Sequence, residues 1–241
     1  MKREWKRQFY LRRDELALIL AMESVFFLLG EILLGFVVYG LGEKESIIPL
    51  GTILTVMIPA FILLFLGMGS LPMCFNLSVA MSTTRRNLIP AEFIVSFLQN
   101  LAAVSLAYIF SLFERWIMRA AYGGIPVEFD LQYLFRWKYL IPACIALSAL
   151  HAFMGALILK YGKIIFTIFW CLWVALLIGG SRIGQMLEEG KDHAFLNMCR
   201  NVVRTVSNLS ETGILLLVMG ISLLLFFGTW MLVRKQQVEF S

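Results

Sequence analysis

The residues best placed to do chemistry are two carboxylates set in an apolar run. Glu23 and Glu31 lie eight residues apart within Leu16–Tyr39. At roughly 100° per helical residue they sit about 80° apart, on one broad face. A carboxylate is expensive in hydrocarbon and usually turns to a bundle interior or a wet cavity. Two roles fit: the lining of a substrate path favouring cationic or amphipathic cargo, or helix–helix hydrogen bonding by a protonated acid. Gln99 and Asn100, accompanied by Ser96 and Ser105, sit in a later apolar run. Amides in that setting either join such a path or bond neighbouring helices. His151 has no second histidine at metal-ligand spacing and reads as a packing residue. Cys74, Cys144, Cys171 and Cys199 form no CxxC pair and read as small core residues.

A second group lies between two apolar runs. Asn76 is followed by Ser82, Thr83 and Thr84, which lead into Arg85, Arg86 and Asn87. Small hydroxylated residues before paired arginines make a helix-capping turn that carries positive charge on the inner side of a membrane. The first thirteen residues are also basic. Trp5, Phe9 and Arg12 or Arg13 recur at helical spacing there, as in an amphipathic helix lying in the headgroup layer.

Elements that hold such residues must be membrane helices. Of 241 residues 60% are hydrophobic and only 15% charged, with a mean hydropathy of +0.81. Soluble domains run at about 45–50% apolar and about 25% charged. A span needs about 20 apolar residues. Six runs qualify: 16–39, 47–69, 91–113, 139–159, 164–181 and 213–233. The second stays apolar to about Met81, with Pro59 and Pro72 available to kink it.

The expected fold is therefore an all-α integral membrane protein. It has six transmembrane helices and an N-terminal amphipathic interfacial helix over 1–13. Lys2, Arg3, Lys6, Arg7, Arg12, Arg13, Arg85, Arg86, Lys160, Lys163, Arg234 and Lys235 fall on one side of such a bundle. Lys44, Arg115, Arg119, Arg136, Lys138, Arg182, Lys191, Arg200 and Arg204 fall on the other, diluted by acids such as Glu114 and Glu211. The concentrated group sets both termini in the cytoplasm. The outer segment 182–212 carries apolar residues at Phe195, Met198, Val202 and Val206, the spacing of a short amphipathic helix.

The run from Asn76 through Ser82, Thr84, Arg85 and Arg86 to Asn87 resembles the cytoplasmic turn of permease subunits of ABC-2-type transporters from Gram-positive bacteria. Ser82 and Thr83 stand where many members have Gly. The layout resembles them as well: a basic amphipathic start, six spans and a longer outer segment before the last. Within that group the chain looks most like the small permeases of phenol-soluble-modulin-type peptide exporters.

The resemblance implies that two permease chains pair in the cell membrane above two separate ATP-binding-cassette subunits. The turn over 81–88, with Asn76, would dock on the ATPase. Mg-ATP would bind in that partner, and this chain would hold no cofactor of its own. The sequence contains no G-x-x-x-x-G-K-[ST] loop. No nucleic-acid role is expected. Three other readings compete. An intramembrane protease lacks a membrane Asp pair, an HExxH or a GxSxG here. A secondary transporter or channel would use Glu23 and Glu31 for coupling. A membrane scaffold would transport nothing.

Overall fold

The computed structural model describes residues 2–40, 46–80, 85–123, 125, 127, 131–188, 201, 204–205 and 208–234. The described residues are overwhelmingly helical. Helix α1 (Lys2–Leu11) runs into α2 (Arg13–Gly35), which ends in a π turn over Phe36–Gly40. Then come α3 (Leu50–Ala80), α4 (Arg85–Ala121), a 3-10 turn (Leu131–Phe135), α5 (Trp137–Tyr161), α6 (Lys163–Glu188) and α7 (Glu211–Arg234). Away from the helices, Ile47 and Val127 pair in an isolated bridge.

Among the described residues, four helical stretches are long and apolar enough to cross a membrane: Arg13–Gly40, Asn87–Ala121, Trp137–Tyr161 and Glu211–Arg234. Their outer faces carry Ile32, Phe36, Leu216 and Leu224, all well exposed. Large aliphatic groups facing outward along whole helices make a surface suited to lipid, which solvates them as water does not.

Helix directions follow from side-chain contacts. Arg12 meets Ser96, Ile19 clusters with Ala103, Phe27 stacks on Phe110, and Tyr39 packs on Tyr122. Helices α2 and α4 therefore run parallel and in step. Gly51 lies against Gly30, and Ser70 against Glu92, so α3 runs opposite to both. Asn100 meets Ser148, and Tyr108 meets Phe135, so α5 runs opposite to α4. Phe65 packs against Phe166 and Phe169, and Phe61 against Trp173, so α6 runs opposite to α3. Lys138 pairs with Glu211, and Ala156 clusters with Val233, so α7 runs alongside α5.

Six helices thus alternate in direction. The start of α2 and the end of α7 lie at one end of the bundle, beside the start of α4. A core of Leu71, Phe75, Leu88, Ile89, Ala156 and Val233 fills that end. Leu34, Val38, Ile47, Met118 and Tyr122 fill the other.

Several boundaries differ from the sequence expectation. The third run was expected to end at Phe113, but α4 continues to Ala121 and carries Glu114, Arg115 and Arg119 within it. The fifth was expected to end at Ser181, but α6 continues to Glu188. Charge ended both runs on paper, whereas a helix accepts charge wherever a partner or an exposed face is at hand. Helix α3, by contrast, runs on from Gly69 through Pro72 to Ala80, as the apolar run to about Met81 leads one to expect. The expected outer amphipathic helix falls largely on residues 189–200, 202–203 and 206–207, outside the described residues. Cys171 is exposed rather than in the core; Cys74 and Cys144 are buried, and Cys199 is outside the described residues.

Candidate functional site

Three polar features are strung along the bundle. The first is at the end where the helices α2 and α4 begin. Arg12 occupies the break between α1 and α2, and its side chain points inward, 3% exposed. Its guanidinium donates to Glu92 Oε1 (2.7 Å) and Ser96 Oγ (2.8 Å) on α4, and to Glu15 Oε2 (2.7 Å). Ser70 Oγ on α3 lies 2.8 Å from both Glu92 Oε1 and the Gly67 carbonyl, with one proton to give. Gln99 Nε2 donates to the Arg12 carbonyl (3.2 Å).

Burial by itself would lower the pKa of Arg12. The Glu92 and Glu15 carboxylates more than offset it, and the guanidinium is held firmly cationic above its ordinary value. Next to this network the His151 ring lies flat on Gly67, where even a Cβ would fall 2.5 Å from Nδ1. Its Nε2 is buried without a hydrogen-bond partner among the described residues.

The second feature, at the opposite end, is a carboxylate that caps a neighbouring helix. Glu114 Oε1 and Oε2 accept the Gly51 and Thr52 amides of α3, each at 2.8 Å. Those amides are among the four at a helix start that have no partner inside the helix, and the dipole there favours negative charge. The carboxyl group of Glu31 faces that of Glu114.

Between the two lies a cavity of about 510 Å³ bounded by α2, α3, α4, α5 and the 3-10 turn. Its walls are chiefly aliphatic and aromatic, with Ala103, Ala107, Leu147 and Phe135 among them. Glu23, Thr52, Thr55 and Asn100 supply the polar surface. Asn100 Nδ2 donates to Ser148 Oγ (2.9 Å), and Ser148 in turn donates to the Cys144 carbonyl (2.6 Å). Glu23 is 2% exposed, and its Oε2 has no hydrogen-bond partner among the described residues.

Of the four residues expected on a substrate path, the structure places Glu23 and Asn100 on one cavity wall. Glu31 lies with Glu114 at one end and Gln99 with Arg12 at the other. Of the expected coupling residues, Asn76 is in α3, Arg85 and Arg86 open α4, and Asn87 is half-buried two residues further on. Ser82, Thr83 and Thr84 lie outside the described residues.

Sequence reasoning missed Arg12, Ser70 and Glu92 as a unit. The sequence pattern sets Arg12 among the charges facing headgroups, and the structure buries it in an ion pair instead. The available signal was Glu92, an acid one position inside the third apolar run. No protein-family model matches the chain, and neither does any curated protein or solved structure.

Proposed function

We propose that the chain is the transmembrane permease subunit of an ATP-driven exporter of amphipathic peptides. Helices α2 to α7 are the six spans, and both termini are cytoplasmic. The chain pairs with a second copy in the cell membrane, and separate ATP-binding-cassette subunits beneath the pair bind and hydrolyse Mg-ATP. This chain itself takes no catalytic part.

The observation that carries this reading is the gathering of basic segments at one end of an alternating bundle. The basic helix α1, the Arg85–Arg86 start of α4, the Lys160–Lys163 turn and Arg234 all meet there. Positive charge of that kind marks the cytoplasmic side. It also offers a docking surface for a soluble partner at the turn that resembles the coupling segment of ABC-2-type permeases. The cavity beside Glu23 and Asn100 supplies a place for cargo.

The reading is tested by co-expressing the chain with the ATP-binding-cassette subunit encoded next to it and purifying through a tag on this chain. Stoichiometric recovery of both, with vanadate-sensitive ATP hydrolysis, is expected. The double substitution Arg85→Glu, Arg86→Glu should release the ATPase while leaving the permease folded. A chain recovered stable and alone would overturn the reading.

The acids Glu23, Glu31 and Glu114, all within helices, favour one other account: a secondary transporter or channel driven by an ion gradient. Transport by the chain alone in vesicles carrying a pH gradient would identify it.

A further inference from the structure

The cavity beside Glu23 has a mismatch that specifies a ligand. Its volume, about 510 Å³, falls among ligand pockets, which run at about 300–1,000 Å³. Its polar neighbours are already engaged with the protein. Thr55 Oγ1 donates to the Gly51 carbonyl (2.7 Å). Thr52 is bound to Glu114 through its side chain as well as its amide. The Asn100 amide group is held by Ser148. Among the side chains that line the cavity, the buried oxygen left without a donor among the described residues is Glu23 Oε2. Among the described residues, no Lys, Arg or His lines the cavity.

A carboxylate left uncompensated in an apolar wall is costly, so Glu23 can ionise there only beside a positive charge, and once ionised it only accepts hydrogen bonds. The missing complement is a hydrogen-bond donor with one positive charge. A divalent metal does not fit, because hard cations need six or more oxygen ligands for Ca²⁺, or water-filled octahedra for Mg²⁺. A plain acyl chain would fill the walls and leave Glu23 unanswered. The rim includes Val56, Met57 and Leu134, which are exposed on the outer side of the bundle. The cavity is therefore entered sideways, from the phase in which an amphiphile dissolves.

We propose that this cavity binds a lipophilic monocation, with an apolar body against α3, α4 and α5 and its cationic N–H donor on Glu23. The proposal rests on the membrane reading above and names the group of an amphipathic cargo that this cavity would hold. Binding is measured without any ATPase, so a failed co-purification and a failed binding experiment are separate results.

The experiment uses the full chain in phosphatidylcholine nanodiscs, with rhodamine 6G as the probe and fluorescence polarisation as the readout. Saturable binding is expected. Glu23→Gln, which keeps the shape and removes the charge, should weaken it roughly tenfold or more, the loss of one charge-assisted hydrogen bond. Glu31→Gln, off the cavity, should leave it unchanged. Dihydrorhodamine 6G, the uncharged relative, should compete at least about tenfold less well.

Equal binding by Glu23→Gln, or equal competition by the uncharged dye, would overturn the proposal and leave a groove that takes any apolar chain. Should Glu23→Gln fail to fold, Ala107→Phe fills the cavity with Glu23 in place. Loss of saturable binding in that variant supports the site, and undiminished binding overturns it.

Discussion

At the scale of the residue, the least expected arrangement is Arg12 with Glu92. Two formal charges are buried together, and each is supplied with further partners: Glu15 and Ser96 for the arginine, Ser70 for the acid. Such a pair contributes little net stability compared with apolar groups of the same size, yet removing one member strands the other. Arg12→Leu should therefore destabilise the protein by about 3–5 kcal/mol. The double variant Arg12→Leu, Glu92→Leu should recover most of that. Chemical unfolding in a mild detergent measures both, and a single variant as stable as the parent would show that the pair is not buried as described.

Legibility at this scale was uneven. Glu23 and Glu31 stand out in the sequence because their neighbours are apolar throughout. Glu114 and Arg12 lie at the edges of apolar runs, where charge is commonplace, and only their partners on other helices show that they point inward. Sequence displays a charge but not what it faces.

At the scale of the element, helix contacts are set by missing side chains. A Cβ on Gly30 would fall 2.5 Å from the Gly51 Cα, so α2 and α3 cross backbone to backbone. Small residues allow this kind of approach between membrane helices. Gly69, in the same α3, has open space where its Cβ would be.

Two substitutions of identical chemistry should therefore act in opposite directions. Gly30→Ala must push two helices apart and should cost about 1–3 kcal/mol. Gly69→Ala should be neutral or stabilising by about 0.5–1 kcal/mol, because alanine is the better helix former. Melting temperatures of the purified variants decide it, and equal effects would count against the close crossing. The helices themselves were legible from apolar run length. Their ends were not, because α4 gains its last two turns from the partners of Glu114 and from exposed arginines rather than from hydropathy.

At the scale of the whole molecule, the alternation of six helices brings the start of α2 and the end of α7 to one end of the bundle. Reporter tags placed before Lys2 and after Arg234 should both be read from the cytoplasm, and a tag in the segment between α6 and α7 from outside. Tags on opposite sides would break the six-span arrangement. The order of helices in space was not readable from the sequence. Parallel packing of α2 with α4, and of α5 with α7, depends on pairs such as Phe27 with Phe110 and Lys138 with Glu211 that are far apart along the chain.

The in-step pairing of α2 and α4 has a mechanical consequence. The two rods are pinned at one end by Arg12 to Glu92 and at the other by the Tyr39 hydroxyl on the Ala121 carbonyl (3.0 Å). Contacts at both ends oppose sliding of one rod past the other, and favour the two tilting together. A push delivered where α4 begins at Arg85 would therefore be carried along both rods toward Tyr122. Spin labels at Ile19 and Ala103 would keep a constant separation through such a stroke while their distance to α7 changed.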